Sequence, residues 1–352
     1  MASAYTRSHY FRWLPETVLS SSPLVTVVIP AFNAESFIGE AIASIQNQTL
    51  DDWQLIVVND GSSDQTLSAA RQAAGDDPRI RLIHFDRNQG ISVASNAGFD
   101  AARGEFIARL DADDIALPAR LAVQAAAFRD NDRLAAAGSH ARVFGDVPEG
   151  IAYCSLADGE IKAHLLDGLN TISGGTIMVR GSFVRGHRIR FDEAAVSAED
   201  LDYLTSIMAA GGELANVDDV LTEHRSHCAS FTNSREGVAR EYLQIARRRL
   251  LSLWYPELDS HDIDRVVALF SNLYAPYTDA FIATVRAVER IVAAEARDYG
   301  QASLIVHGIV LDRLAEAAGV YRDNKLIDAS HVQAMRGFVS PAVGAVLERT
   351  GV

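Results

Sequence analysis

The amino-acid sequence predicts an α/β fold, a mostly parallel sheet flanked by helices, followed by an α-helical C-terminal region. Three observations carry this expectation. Short β-branched runs alternate with segments of helical spacing, polar clusters stand at each change from one to the other, and strand signals thin out beyond residue 232.

The first unit opens with residues 24–29, a continuous apolar run closed by Pro30. Residues 36–48 then space Phe37, Ile38, Ala41, Ile42 and Ile45 along one helical face. In the second, residues 55–58 run into Asn59-Asp60-Gly61-Ser62-Ser63-Asp64 and a helix to about Ala74. The third takes residues 80–85 through an Asn88-Gln89-Gly90 turn into a helix ending near Arg103-Gly104. The fourth strand, Phe106-Ile-Ala-Arg-Leu110, stops in Asp111-Ala112-Asp113-Asp114, and Pro118 stands where a helix reaching Arg129 would begin. A parallel sheet binds its ligands beyond the carboxyl ends of its strands, so residues 30–35, 60–64, 88–96 and 111–114 should share one rim. No G-x-G-x-x-G follows the first strand, which removes support for a nicotinamide or flavin site.

From residue 134 to about 231 the signals mix, with strands expected near 176–179 and 213–217 and a helix over 201–210. Asn233-Ser-Arg-Glu236 reads as a capping box, and amphipathic helices continue to the C-terminus. The expected organisation is an N-terminal extension (1–23), an α/β domain (24–231, with halves 24–115 and 116–231) and a helical region (232–352).

With 352 residues, 48% of them hydrophobic, the chain can bury a full core. Its net charge of -14 argues against broad nucleic-acid binding, which depends on neutralising phosphates with Lys and Arg. Cys154 and Cys228 are the only cysteines and lack a Cys-x-x-Cys neighbour, which fits a reducing cytoplasm. Residues 1–22 hold Tyr5, His9, Tyr10, Phe11, Arg12 and Trp13 and no apolar core of signal-peptide length. Nor is there an apolar run of about 18 residues, so membrane contact should be peripheral, at the inner face. Arg247-Arg248-Arg249 before Leu250, Leu251, Trp254 and Tyr255 reads either as a lipid-headgroup contact or as a solvated helix face beside packed aromatics.

Residues two apart on a strand point the same way, so Asp111 and Asp113 can face one ligand. Converging carboxylates repel unless a cation sits between them, and Mg²⁺ or Mn²⁺ commonly shares oxygen ligands with nucleotide phosphates. The alternative is a run of acids placed at a helix N-terminus, where Asp is favoured anyway. Glu199-Asp200 poses the same choice: a helix beginning near Leu201 would hold Asp200 ionised at its positive end, as a base requires.

Taken in order, the motifs are Val28-Ile-Pro30-Ala-Phe-Asn33-Ala-Glu35, Val57-Val-Asn-Asp60-Gly-Ser-Ser-Asp64, Arg87-Asn88-Gln-Gly90 with Asn96-x-Gly98, and Leu110-Asp111-Ala-Asp113-Asp114. Phe191-Asp192-Glu193, Ala198-Glu199-Asp200-x-Asp202 and His224-Arg225-x-His227-x-x-Ser230 follow. In this order and spacing, residues 24 to about 231 resemble a family 2 glycosyltransferase of the bacterial surface-glycan type. The resemblance implies the GT-A fold, a Rossmann-like sheet. It also implies transfer of a sugar from a nucleotide-diphosphate sugar to a hydroxyl of a glycan or lipid-linked glycan, as in polysaccharide or lipopolysaccharide biosynthesis. UDP is the default nucleotide, with GDP and dTDP open.

By resemblance, Pro30, Ala31, Asn33, Glu35, Asp60, Asn88, Gly90, Asn96, Asp111 and Ala112 face the nucleotide sugar. Asp60 would accept from a pyrimidine ring N–H, or serve only as a turn residue before Gly61. Asp113 is the implied ligand of Mn²⁺ or Mg²⁺, with His227 completing the metal site or touching the diphosphate and Arg225 offsetting charge. Asp200 is the implied general base, with Glu199 beside it, and direct displacement would invert the anomeric centre. Asp114 reads as a cap of the helix entered at Pro118, and Gly174-Gly175-Thr176 as an acceptor-side segment or an ordinary turn. Phe32, Asn59 and Glu223 depart from the family pattern. Q-x-x-R-W is absent, which favours single-sugar addition over processive synthesis.

Two other functions stay in view. A catalytically silent sugar-nucleotide or glycan-binding module would not need Asp200. A sugar nucleotidyltransferase needs a Gly-rich Arg/Lys loop after the first strand, and residues 30–35 contain neither Gly nor Lys. The C-terminal helices could form a homo-oligomer, shape the acceptor pocket or approach a membrane.

Overall fold

The computed structural model describes residues 22–169, 171–195, 197–227, 236–270, 278–294, 302–327 and 329–351. The chain forms two compact units, one reaching Leu156 and resuming over Ile172–Ser234, the other joining Ala157–Thr171 to Arg235–Val352. The expected N-terminal extension falls almost wholly outside the described residues. So do the boundary at 232, most of the 233–236 capping box, Cys228 and Ser230.

In chain order the elements are β1 (Val25–Ala31), α1 (Ile38–Gln46), β2 (Trp53–Asn59), α2 (Thr66–Ala74), β3 (Ile80–His84), α3 (Ile91–Ala101) and β4 (Phe106–Arg109). Then come β5 (Ile115–Ala116), α4 (Arg120–Asp130), β6 (Leu134–Gly145), β7 (Gly150–Ala152) and α5 (Asp158–His164), the last belonging to the second unit. A short 3-10 turn (Gly174–Thr176) leads to β8 (Met178–Arg180), α6 (Gly181–Gly186), α7 (Glu199–Ala209) and β9 (Glu213–Ser226).

One nine-stranded sheet runs β3-β2-β1-β4-β8-β6-β9-β5, with β7 paired to β6. Its β3-β2-β1-β4 half is parallel, as the alternating pattern predicts. Beyond β4 the sheet is mixed: β8 is antiparallel to β4 and β6, β9 parallel to β6, and β5 antiparallel to β9. Every residue of β1 and β2 is buried, which is why these strands read as unbroken apolar runs. Pro30 lies past the last β4 pairing of β1, at Val28–Arg109, where no ladder hydrogen bond is needed from its nitrogen. Helix α1 turns Ile38, Ala41, Ile42 and Ile45 inward. Helix α3 comes closer still, because a Cβ on Gly98 would sit 2.2 Å from Val28 Cγ1.

The second unit is helical, with α8 (Glu236–Trp254), α9 (Ser260–Leu269), α10 (Thr278–Ala293), α11 (Ala302–Asp323), α12 (Ala329–Met335) and α13 (Pro341–Arg349) following α5. Helix α10 buries Phe281, Val285, Val288 and Ile291 along one stripe. Asp259 caps α9 by accepting from Asp262 N–H at 2.9 Å, and Ser340 caps α13 ahead of Pro341. The arginine run at 247–249 is resolved in favour of packing. Arg247 is buried with Nε donating to the Leu166 carbonyl, Arg248 pairs with Asp264, and Leu250, Leu251, Trp254 and Tyr255 are all buried. That segment offers no aromatic face to lipid. Among the described residues no helix is long and apolar enough to cross a membrane.

Replacing Gly98 by Ala should overpack the α3–β1 contact at a cost of about 1–3 kcal/mol. The variant is expected to melt at a lower temperature than the wild type, measured by circular dichroism. An unchanged midpoint would show that the two elements separate freely.

Candidate functional site

The ends of β1, β2 and β3 are laced into one rim. Asn33 adopts φ 50, a left-handed conformation that Asn tolerates, and this lets its backbone and side chain face the next loop. Its N–H donates to Ser62 Oγ at 3.0 Å, and its Oδ1 accepts from Ser63 N–H at 3.0 Å. Glu35 and Asp64 are reciprocal: Glu35 N–H donates to Asp64 Oδ2 (3.1 Å), and Glu35 Oε2 accepts from Gln65 N–H (2.7 Å). Asp64 also accepts from Thr66 N–H at 3.0 Å and from its hydroxyl. Although burial works the other way, these donors hold the Asp64 carboxyl below its ordinary range.

Asp60 is buried at the end of β2 and accepts from Gln89 N–H (2.8 Å), Gly90 N–H (2.9 Å) and Asn88 Nδ2 (3.1 Å). Burial raises its pKa, and the two backbone donors oppose the rise. The adjoining Gly61, at φ +64, cannot carry a Cβ, which would lie 2.1 Å from the Arg87 carbonyl carbon. Asn59 accepts from the Ser62 hydroxyl at 2.5 Å and donates to His84 Nδ1 at 3.0 Å.

The fourth strand end carries the charge. Asp113 Oδ2 lies 3.0 Å from His227 Nε2, and both side chains keep some solvent access. The His227 ring packs against Phe37 at 4.7 Å between centroids. Asp114 is buried and does not cap the helix after Pro118. It accepts from Arg225 N–H (2.9 Å) and from His224 Nδ1 (3.2 Å), which pins the end of β9 to the β4–β5 turn. Burial pushes Asp114 up to about 6 against the His224 bond, and His224 is pushed up to about 9 by that same bond. Arg225 donates to the Asp113 carbonyl at 2.9 Å and to Glu40 at 2.5 Å, with its guanidinium over the Phe37 and Phe144 rings.

Glu199 and Asp200 occupy the first turn of α7, whose start places both carboxylates at its positive end. Buried Arg109 reaches both acid groups: Nη1 donates to Asp200 Oδ1 at 2.5 Å and Nη2 to Asp111 Oδ1 at 2.7 Å. Beneath it, fully buried Arg120 donates to the Arg109 carbonyl at 2.6 Å and to Gln124 at 3.1 Å. The Gly174–Thr176 turn lies against these acids. A Cβ on Gly174 would sit 2.0 Å from Asp200 Oδ2, and one on Gly175 would sit 2.7 Å from Asp114 Oδ2 and 3.1 Å from Asp111 Oδ2. Glu199 is buried with Oε2 unbonded, and burial with Asp200 beside it pushes its carboxyl up to about 7, Arg109 pulling the other way. Burial raises Asp200 too, Arg109 opposing, while 35% of its side chain stays open to solvent.

Of the residues expected at the site, Asp111, Asp113, His227, Glu199 and Asp200 line the acid cluster and its margin. Asn33, Glu35, Asp60, Asn88 and Gly90 form the laced rim, where their polar atoms bind one another's loops. Pro30, Ala31 and Ala112 are buried, and Ala31 and Ala112 pack in the hydrophobic core. Asn96 needs correction as a donor contact. It is buried and its amide is spent on the Phe191 backbone, donating to the carbonyl at 2.8 Å and accepting from the N–H at 3.0 Å. Sequence reasoning gave no role to Arg109 or Arg120. The signal for Arg109 was present: one charged residue in a buried apolar strand, two before Asp111 and therefore on its face.

Comparison with known proteins adds four likenesses. Residues 26–180 match the family described as Glycosyl transferase family 2. A Haemophilus influenzae protein described as an uncharacterized glycosyltransferase is 34% identical over 218 residues, which span 59% of this chain and 67% of that one. EpsE of Bacillus subtilis, a putative glycosyltransferase, is 29% identical over 67% of this chain and 86% of its own length. Among solved structures, S. aureus TarS 1-349 in complex with UDP superposes with a TM-score of 0.57 at 20% identity, covering 85% of this chain and 91% of TarS. That likeness shows a shared GT-A fold.

Because the Glu199 pKa is raised in the folded state, its charge costs stability. The cost is absent below the ordinary value of 4.5, grows as pH rises toward about 7, and is complete above it. Glu199→Gln is therefore expected to melt higher than the wild type at pH 8, with the difference vanishing below about pH 4.5. Parallel melting curves at all pH values would show that Glu199 ionises freely.

Proposed function

The chain belongs to glycosyl transferase family 2, and from that membership we propose an inverting, metal-dependent, non-processive hexosyltransferase that moves a sugar from a UDP-sugar to a hydroxyl of a surface-glycan or lipid-linked glycan acceptor. The observation that carries this reading is the meeting of Asp113 and His227. They lie 114 positions apart in sequence and 3.0 Å apart in space, and Asp113 stands two residues from Asp111, which shares Arg109 with Asp200. UDP is favoured because the structurally similar TarS was crystallised with it.

A carboxylate oxygen and an imidazole nitrogen fit Mn²⁺, and Mg²⁺, which takes oxygen ligands, would rest on Asp113 alone. Among the described residues no third His, Cys, Asp or Glu joins them, which leaves coordination positions for the oxygens of a diphosphate. Asp113 and His227 would hold the ion, which when bound stabilises negative charge on the departing diphosphate. Asp111 points to the donor side, and the 33–35, 60–64 and 88–90 loops form the wall for the nucleoside. Asp200 takes the proton of the acceptor hydroxyl as that oxygen bonds to the anomeric carbon and the bond to the diphosphate oxygen breaks. Attack opposite the leaving group inverts the centre. Glu199, protonated over more of the neutral range, keeps a second full charge away from Asp200.

Asp113→Ala should abolish Mn²⁺-dependent transfer, and Asp200→Asn should lower kcat by about 100-fold or more. The assay is a screen of UDP-, GDP- and dTDP-sugars with and without Mn²⁺, read by thermal stabilisation and by release of nucleotide. Undiminished transfer by Asp113→Ala would overturn the metal role, and Mn²⁺-dependent binding without turnover across acceptors would favour a silent binding module.

A further inference from the structure

We propose that Arg109 is the positioning residue of this site: one guanidinium fixes the base Asp200 and the donor-side Asp111 in a single frame. This role rests on the reading of Asp200 as the base. Arg109 is the last residue of β4, and its side chain is 2% exposed. The backbone that delivers it is held on both sides. Its N–H donates to the Ile177 carbonyl at 2.9 Å, and its carbonyl accepts from Arg120 at 2.6 Å. Arg120 is braced by Gln124, whose amide donates to the Thr176 carbonyl at 2.8 Å. The guanidinium therefore leaves a strand end that cannot tilt.

Its two terminal nitrogens take different partners, Asp200 at 2.5 Å and Asp111 at 2.7 Å, while Nε is buried without one. A planar fork can span two carboxylates at fixed separation, whereas an ammonium is a point charge that must favour one. Asp200 is restrained at its other oxygen by the Gly174 turn, where a Cβ would sit 2.0 Å away. A base bonded at Oδ1 by Arg109 and crowded at Oδ2 by the Gly174 turn still keeps 35% of its side chain open to an acceptor hydroxyl. The charged groups facing it are Arg109 and Asp111 from the β4 end and Glu199 from α7.

A purely structural ion pair would make a different prediction. Its loss would lower stability and leave the kinetics of the folded fraction unchanged. A positioning residue acts on kcat through Asp200, because a small misplacement of the base costs about 100-fold in rate.

The test uses the full chain with a UDP-sugar and Mn²⁺, comparing Arg109→Lys, Arg109→Met, Asp200→Asn and the Arg109→Met/Asp200→Asn double variant. Arg109→Lys should lose about 100-fold in kcat with donor KM changed less than about fivefold, and Arg109→Met should move the acid limb of kcat to higher pH. The double variant should be no slower than Asp200→Asn alone. Wild-type kcat in Arg109→Lys, or losses that multiply in the double variant, would overturn the positioning role. Full transfer by Asp200→Asn would instead remove the base reading itself, and this role with it. Should the Arg109 variants fail to fold, Asp111→Asn supplies the second measurement. Relieved of Asp111 repulsion and paired with Arg109 alone, Asp200 should show its acid limb at lower pH, and an unmoved limb would overturn the coupling.

Discussion

The constraint on which the site depends is repulsion. Asp111, Asp114, Glu199 and Asp200 are drawn together at one end of the sheet, and carboxylates so placed could not all stay charged without compensation. The chain supplies compensation from below with Arg109, from the side with His224 and the Arg225 backbone, and by letting Glu199 keep its proton over part of the neutral range. Arg120 completes the arrangement as a second buried cation under the first. Its own pKa is lowered to about 10 by burial, with Asp114 and Asp111 offsetting part of the loss.

The glycines at 174 and 175 belong to the same constraint. Any side chain there would occupy the space of the Asp200, Asp111 and Asp114 carboxylates, so the turn before β8 acts as a backbone lid over the acids. Gly61 plays the matching part on the laced rim, where the β2–α2 loop crosses the 87–88 backbone. Charge and close approach thus explain residues that a reading for ligand contacts would leave unassigned.

What the sequence made legible follows the strength of the physical signal. The β3-β2-β1-β4 half was readable because fully buried parallel strands are continuous apolar runs with polar ends. Strands β5, β6 and β7 were not, because β6 opens Leu-Ala-Ala-Ala-Gly and β5 is two residues long, neither carrying a period. Asp113 and His227 were brought together only by the resemblance to the family, since neither spacing nor residue type pairs positions 114 apart; the structure sets them at 3.0 Å. Asn96 misled, since a polar residue in a motif can be polar for the backbone it holds, here Phe191. Asp114 was read as structural, but with the wrong partner, because its bonds to residues 224 and 225 depend on a contact across more than a hundred positions. Arg109 was half legible: its pairing with Asp111, two residues on, lies in the strand pattern, while its bond to Asp200 spans 91 residues.

The reciprocal bonds between the 33–35 and 62–66 loops have a thermodynamic consequence. Because Asn33, Glu35 and Asp64 tie the two loops to each other, the rim proposed as the nucleoside wall is ordered by the chain itself. Little conformational entropy remains to be surrendered there when a ligand docks, so a larger share of each contact survives as affinity. The same economy would limit adaptability: a rim ordered in advance would favour the ligand whose shape it matches over one that requires it to rearrange.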